Sequence, residues 1–305
     1  MSDYRELSKI RLEDPSAVAR AAQARRRHPG VSAARQNFIV AADHPARGAL
    51  SVGEDPTAMA DRSVLLDRLQ IALANPRVDG VLASPDVLDD LLLLGALEGK
   101  LVFGSMNRGG LAGLVNEIDD RFTGHSAAAL KSLGADGGKM LTRICYQDPA
   151  TANALEASAQ AVTALAENRL IAMIEPFISV RDSAGKIGND LSPEAVITSM
   201  AIASGLGASS AYSWLKIPVV EQMERVVAAT TLPIVLLGGD PPTASQQAVE
   251  ATFERWRQAL CLPGVQGLTV GRSLLYPADG DVAAAVENAA SLLRDDTVTQ
   301  RGGTL

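Results

Sequence analysis

The stretch YSWLKIPV at residues 212–219 has the near-continuous apolar composition of a buried strand, with one lysine at its centre. Such runs are typical of parallel strands that are covered on both faces, whereas half-exposed strands alternate. Upstream, Ser-Pro-Glu at 192–194 supplies an N-cap with proline at the first helical position, and Gly205 and Gly207 can end that helix. These signals predict a helix followed by a buried strand, which is the repeating unit of an α/β fold.

Seven further apolar runs have the same character. They are separated by segments long enough for a crossover helix, which parallel neighbours require. Residues 151–167 are alanine-rich and typical of a long helix, and Ser-Pro-Asp at 84–86 begins another. The predicted strands are 38–42, 80–83, 101–104, 140–145, 170–174, 212–217, 234–237 and 267–270. Eight alternating units in about 270 residues match the size of a (β/α)8 TIM barrel.

A doubly wound open sheet is the alternative fold. No predicted strand is followed by a GxGxxG or Walker loop, so the commonest nucleotide-binding signatures of that fold are missing. We therefore predict a helical extension over residues 1–36, a (β/α)8 barrel over 37–294 and a flexible polar tail over 295–305.

The composition is that of a globular protein without a nucleic-acid surface. The 305 residues are 47% hydrophobic, and 28 Lys and Arg against 35 Asp and Glu give a net charge of -7. The one dense basic run, residues 25–28, precedes a Pro-Gly turn and is interpreted as a solvated helix end. Cys145 and Cys261 form no CxxC motif, which fits a reducing cytoplasm. We expect a cytoplasmic protein without a membrane partner, because no apolar run suits a signal peptide or a bilayer span.

Polar residues at the carboxyl ends of barrel strands are the candidates for chemistry. The first predicted strand leads into Asp43, the fifth into Glu175, and the sixth carries Lys216. Burying an ammonium is costly unless it is paired or neutral, and a neutral lysine is the amine that traps carbonyl groups. A lysine that reaches water from a strand edge is the alternative. His44 follows Asp43 directly, but strand alternation would turn it away from Asp43.

Glycines after the seventh and eighth strands indicate a phosphate site. Gly238, Gly239 and Gly271 let backbone N–H groups approach an anion, and Arg272 adds a forked donor. Two ordinary glycine turns are the alternative. Arg47, in the first loop, could meet a substrate carboxylate or phosphate, or lie on the surface. The aspartate pairs at 89–90 and 119–120 are in predicted helical context without histidines, so we interpret them as solvated faces rather than metal ligands.

Five motifs, in this order at the strand ends, resemble a known superfamily. They are ADHP at 42–45, GADGGKML at 134–141 leading to YQD at 146–148, IEP at 174–176, WLKIP at 214–218 and VGR at 270–272. Across most of residues 38–275 the chain resembles the class I (Schiff-base) aldolases of the deoxyribose-phosphate, tagatose-bisphosphate and archaeal-type fructose-bisphosphate superfamily. Within it, the chain looks most like the Cgl0159-like (β/α)8 family.

The resemblance implies roles for individual residues. Lys216 matches the Schiff-base lysine, Asp43 the acid of carbinolamine turnover and Glu175 the carboxylate of proton transfer. Lys139 matches a second lysine of the tagatose-bisphosphate branch, and Tyr146 the proton-transferring tyrosine of the archaeal branch. Because Lys139 begins its predicted strand, Arg143 is the alternative second cation of the site. No cofactor or metal is implied, and a homo-oligomer is expected.

The implied activity is a metal-independent aldolase that cleaves a phosphorylated keto sugar. The best match is the inositol-breakdown substrate 2-deoxy-5-keto-gluconate 6-phosphate, which gives dihydroxyacetone phosphate and malonate semialdehyde. Deoxyribose 5-phosphate and tagatose or fructose bisphosphate stay open as substrates. A sugar-phosphate isomerase or epimerase, with Asp43 and Glu175 as acid and base, and a non-catalytic sugar-phosphate sensor are the alternative functions.

Overall fold

Eight parallel strands close into a barrel in the computed structural model, which describes residues 4–239 and 246–294. The strands in chain order are β1 (Asn37–Ala42), β2 (Gly80–Ala83), β3 (Leu101–Ser105), β4 (Gly137–Ile144), β5 (Ile171–Arg181), β6 (Ile187–Asn189), β7 (Ser213–Pro218), β8 (Ile234–Leu237) and β9 (Val265–Val270). Each barrel strand pairs in parallel with its neighbours, β4 with β5 and β9 with β1. The predicted (β/α)8 fold is confirmed. The short β6 was not predicted; it pairs antiparallel with the end of β5 and forms a hairpin beyond the barrel.

Helices fill the connections between the strands. They are α1 (Arg5–Glu13), α2 (Ala17–Ala24), α3 (Arg62–Ala74), α4 (Pro85–Leu93), α5 (Ala127–Leu133), α6 (Ala150–Glu167), α7 (Pro193–Ser204), α8 (Met223–Val227), α9 (Gln246–Leu260), α10 (Arg272–Leu275) and α11 (Val282–Ala290). The predicted cap of α7 is present, since the Ser192 hydroxyl accepts a bond from the backbone N–H of Ala195 at 3.3 Å. At α4 the Ser84 hydroxyl instead donates to the Asp86 carboxylate at 2.6 Å.

A separate apolar layer fills the barrel lumen. It consists of Ile39, Ala41, Leu82, Leu101, Phe103, Met173, Trp214 and Val235. The rings of Phe103 and Trp214 pack with their centroids 6.3 Å apart. Because strand side chains alternate, the residues two positions beyond Met173 and Trp214 also point inward and lie above this layer. These residues are Glu175 and Lys216, so the lumen packing supports the carboxyl-terminal mouth of the barrel.

The register between strands places Lys139 at the mouth. Lys139 is the third residue of β4, yet it pairs with Ser105, the last residue of β3. Asp43 directly follows β1, whose last residue is level with Gly104 through β2. Strands in a barrel are tilted, so an early residue of one strand can lie level with the end of its neighbour. The early position of Lys139 in its own strand therefore wrongly suggested that it lies far from the mouth of the barrel.

The basic run at residues 25–28 contacts the amino-terminal end of the barrel. Arg25 is only 6% exposed and donates to the carbonyls of Lys100 at 3.2 Å and Gly134 at 2.7 Å. Arg27 also donates to the Gly134 carbonyl. The interpretation of this run as a solvated helix end is therefore wrong for Arg25. Helices α1 and α2 precede β1, and the tail proposed for 295–305 lies outside the described residues.

Two aspartates interpreted as solvated are buried. Asp90 lies on α4 and pairs with Arg11 at 2.7 Å, and Asp120 lies outside any helix with Arg143 at 3.6 Å. Asp120 therefore pairs with a buried guanidinium, whereas the Arg11 partner of Asp90 is exposed. Cys145 is buried and Cys261 is exposed, and both are free. Within residues 4–239 and 246–294, none of the helices is both long and apolar enough to cross a bilayer.

We expect Arg25→Ala to destabilise the protein, because the Lys100 carbonyl loses its Arg25 donor and the Gly134 carbonyl keeps only the bond from Arg27. Unsatisfied buried acceptors cost about 1–3 kcal/mol, and urea unfolding monitored by circular dichroism measures this loss. Arg20→Ala is the matched control, since Arg20 pairs with Asp14 on the surface and its removal should leave the unfolding midpoint unchanged. An Arg25 variant as stable as the control would show that the contact with the barrel end is not stabilising.

Candidate active site

A cavity of about 630 Å³ opens at the carboxyl ends of the barrel strands. Its wall contains more cations than carboxylates. The cations are Arg47, Arg108, Lys139, Arg143, Lys216, Arg255 and Arg272, and the carboxylates are Asp43, Glu117 and Glu175. An excess of positive charge in a concave site attracts and retains anionic ligands.

A chain of ion pairs crosses the floor of the cavity. Lys216 contacts Oε1 of Glu175, and Lys139 contacts Oε2 of the same carboxylate. Lys139 Nζ also lies 3.3 Å from Oδ2 of Asp43. Both lysine side chains are buried, at 6% and 2% exposure, so each ammonium depends on these carboxylates for its charge compensation. The structure thus brings together Lys216, Glu175, Lys139 and Asp43, four of the five catalytic residues predicted from strand ends and motif resemblance.

Arg108 extends this chain and was missed by the sequence analysis. Its guanidinium contacts Oδ2 of Asp43, and its Nε donates to the Ser105 hydroxyl at 2.6 Å. The same hydroxyl donates to Asp43 at 3.1 Å, so Oδ2 of Asp43 accepts from three side chains, including Lys139. Arg108 follows β3, and the strand-end rule applied to the third strand would have selected it.

Burial and mutual charge shift the protonation of the group. Burial would raise the pKa of Glu175, but the ammonium groups of Lys139 and Lys216 outweigh it and hold that pKa well below its usual range. Burial lowers the pKa of Lys139 well below its ordinary value, and the Arg108 guanidinium lowers it further. Burial also lowers the pKa of Arg108, to about 10. Lys139 is therefore a buried amine that can release a proton while Glu175 stays ionised.

His44 faces the cavity instead of turning away from it. Strand β1 ends at Ala42, and the backbone at His44 is already helical, with φ -62 and ψ -43, at the start of the 3₁₀ turn Pro45–Arg47. The expectation from strand alternation is therefore wrong, because the strand has ended. The imidazole packs on Gly271, where an added β-carbon would lie 2.9 Å from its Cε1.

The His44 ring is neutral and incompletely bonded. Its buried Nδ1 has no hydrogen-bond partner among the residues that the structure describes. Burial lowers its pKa to about 3, and the charges of Arg272, Lys216 and Lys139 contribute to the shift. His44 therefore presents an uncharged imidazole beside the lysine network.

Arg47 and Arg143 line the cavity but are joined to the loop that follows β3. Both donate to Oε1 of Glu117, at 3.0 Å and 2.6 Å. Both also donate to the Gly110 carbonyl, at 3.2 Å and 3.4 Å. Glu117 was not predicted. The two arginines therefore hold the covering loop in place as well as lining the mouth.

The predicted phosphate site lies at the ends of β8 and β9. Gly238, Gly239, Gly271 and Arg272 all line the cavity there, and Gly239 has φ +66, a conformation that favours glycine. The hydroxyls of Thr269 and Ser273 are buried and, within the described part of the chain, have no hydrogen-bond partner. Thr269 also lines the cavity. This end of the mouth therefore combines backbone, hydroxyl and guanidinium donors.

Tyr146 does not join the other predicted residues. It is 72% exposed and does not line the cavity. Strand β4 ends at Ile144 and a turn begins at Tyr146, so this side chain lies on the outside of the barrel. Over residues 4–239 and 246–294, no group of three or more His, Cys, Asp or Glu side chains could hold a metal ion.

The chain is similar to a family model in sequence and to solved structures in fold. The model of the Cgl0159-like family matches residues 35–290. The crystal structure of Cgl0159 from Corynebacterium glutamicum (Brevibacterium flavum) is 52% identical with a TM-score of 0.91, covering 95% of this chain and 96% of that one. No curated protein gave a match.

More distant structures share the fold alone. An archaeal fructose 1,6-bisphosphate aldolase is 18% identical with a TM-score of 0.60, over 90% of this chain and 98% of that one. An archaeal fructose-1,6-bisphosphate aldolase with its catalytic lysine bound to the carbinolamine intermediate is 19% identical with a TM-score of 0.63, over the same shares of the two chains.

The neutral state of His44 predicts a pH dependence of stability. Its pKa is about 3 in the folded chain and about 6.5 when exposed, so its stabilising contribution is complete above about pH 6.5 and is lost as the pH falls towards 3. Each pH unit in this window costs at most about 1.4 kcal/mol. In His44→Asn, urea unfolding should therefore show a smaller loss of stability between pH 6.5 and 4. A His44 ring resonance that titrates near pH 6.5 by NMR would contradict the neutral state.

Proposed function

Since the chain belongs to the Cgl0159-like family, we propose that it is a metal-independent class I aldolase that acts on a phosphorylated keto sugar. The observation that carries the proposal is the buried Glu175 carboxylate shared by Lys216 and Lys139. A lysine held beside a carboxylate and a second amine can lose a proton, attack a ketone and regain a proton without exchange with bulk water. The fold likeness to archaeal Schiff-base aldolases supports the proposal only at the level of the barrel.

Each early step uses a contact of the ion-pair chain. With Lys139 in its neutral form, which burial favours, Lys216 delivers a proton through Glu175 to Lys139, and the free amine of Lys216 adds to the substrate ketone. The same path returns the proton to the carbinolamine hydroxyl, which leaves as water and gives the iminium. Asp43, which accepts from Arg108 and Lys139, keeps negative charge near the iminium and fixes the position of Lys139.

The proposed substrate is 2-deoxy-5-keto-gluconate 6-phosphate. Its phosphate would bind at the ends of β8 and β9, and cleavage would give dihydroxyacetone phosphate and malonate semialdehyde. Among the residues that the structure describes, seven cations against three carboxylates in the cavity wall are compatible with a substrate that carries both a phosphate and a carboxylate. Deoxyribose 5-phosphate and tagatose or fructose bisphosphate belong in the same assay panel.

Borohydride trapping tests the proposal. With dihydroxyacetone phosphate and borohydride, we expect a mass adduct on Lys216, because reduction makes the iminium permanent. Lys216→Met should show no adduct and no cleavage, and Lys9→Met, which changes an exposed lysine of α1, should match the wild type. Absence of the adduct from the wild type, or full turnover by Lys216→Met, would overturn the proposal. An adduct without cleavage of any substrate in the panel would favour a sensor.

The proposed phosphate site is tested by changing Arg272. Arg272→Ala should raise KM for the phosphorylated substrate about 10- to 100-fold, since hydrogen bonds to charged groups contribute about 1.5–3 kcal/mol. The control is Arg257→Ala, which removes an exposed partner of Glu254 on α9 and should leave KM unchanged. Equal KM values for the two variants would place the phosphate elsewhere.

A further inference from the structure

We propose that His44 is a catalytic residue that accepts the substrate hydroxyl proton when the carbon–carbon bond breaks. This inference rests on the proposed aldolase function, and it assigns the cleavage base to a residue outside the lysine–carboxylate chain.

The other candidates for this base are already engaged or distant. Glu175 has one lysine on each carboxylate oxygen, and Oδ2 of Asp43 accepts from Arg108, Ser105 and Lys139. In the early steps Glu175 only passes a proton from one lysine to the other. As the cleavage base, either carboxylate would have to hold the proton until the enamine is protonated, which would break an ion pair in a buried site. Tyr146, the tyrosine that the resemblance pointed to, lies outside the cavity. Lys139 is held in ion pairs with Glu175 and Asp43. Among the cavity residues that the structure describes, His44 offers a group outside these ion pairs that can take up and return a proton, and its Nδ1 has no hydrogen-bond partner there.

The position of His44 links the lysine to the phosphate site. Strand β9 pairs with β1, so the loops after these strands are neighbours, and the ring packs on Gly271. The charged groups that act on the ring are Arg272, Lys216, Lys139 and Glu175. Burial, and then the three cations, lower the pKa of the ring and keep it uncharged, so the lone pair of a ring nitrogen is available as an acceptor.

Binding of the phosphate would make the imidazole a better base. Among the charges around His44, Arg272 has the largest effect on its pKa after burial. A phosphate dianion bound at Arg272 would offset that positive charge and favour the imidazolium. Proton uptake by His44 would then depend on a correctly seated phosphorylated substrate, whereas a substrate without phosphate would meet a weak base.

The proposed step balances in atoms and charge. The imidazole takes the proton of the hydroxyl that is β to the iminium carbon, and the oxygen forms the aldehyde C=O. The electrons of the broken carbon–carbon bond form the C=C of the enamine, and the iminium nitrogen becomes neutral. The imidazolium then returns its proton to the enamine carbon. This regenerates the iminium, which water hydrolyses to release the ketose phosphate.

The test separates Schiff-base formation from cleavage. In His44→Asn, borohydride should still trap dihydroxyacetone phosphate on Lys216, while kcat for cleavage falls about 10²- to 10⁴-fold, the usual contribution of general acid–base catalysis. His125→Asn is the matched control, because His125 is a half-buried histidine with a buried Nδ1 and does not line the cavity. Its kcat should match that of the wild type, and thermal melts of both variants report on folding.

A second variant tests proton transfer itself. Imidazole added to His44→Ala should restore cleavage in proportion to its unprotonated fraction, which a merely structural role for His44 would not produce. If His44→Asn keeps the wild-type kcat, or loses the Lys216 adduct together with cleavage, or if imidazole gives no rescue in a folded His44→Ala, the inference is overturned. Failure of the wild type to form the adduct would instead overturn the proposed function on which the inference rests.

Discussion

The structure depends on one carboxylate shared between two buried lysines. Strand β5 lies between β4 and β7, and Glu175 lies between Lys139 and Lys216. Without Glu175, two ammonium groups would face an apolar lumen layer with a single remaining carboxylate, Asp43, and that carboxylate also carries Arg108. Loss of Glu175 would leave this buried charge uncompensated, which favours a mutual register of the three strands that keeps the carboxylate between the two lysines.

Much of the fold could be predicted from the sequence, because the strands of a parallel barrel have a recognisable sequence pattern. The strands are buried on both faces and so appear as continuous apolar runs, and the strand-end rule then selected Asp43, Glu175 and Lys216. The tilt of the strands and the residues at which they end could not be predicted from the sequence. Strand tilt sets the height of Lys139 in the barrel. The end of β1 decides where His44 points, and the end of β4 decides that Tyr146 is exposed. Arg108 was missed although the same rule applies to its strand.

In this barrel, a shared fold does not imply that the same side chains reach the cavity. The match to Cgl0159 extends over nearly the whole chain at 52% identity, whereas the archaeal aldolases share the barrel at 18–19%. The outward position of Tyr146 shows that a tyrosine aligned by motif order need not reach the cavity. In a (β/α)8 barrel each strand end delivers its own side chain to a common mouth, so a group lost from one strand can be replaced from another.

The long strand β5 determines where this part of the chain can accept an insertion or a deletion. Strand β5 continues from the lumen, through Glu175, to the hairpin with β6, and its first hairpin partner is Ser179. One residue added or removed between these positions would turn every later side chain of the strand to the opposite face, because the side-chain period is two. The hairpin residues Ile187, Gly188 and Asn189 form part of the cavity wall, so the wall would be rebuilt as well. Within this hairpin, the exposed tip at residues 182–186 is where an insertion leaves the barrel register unchanged.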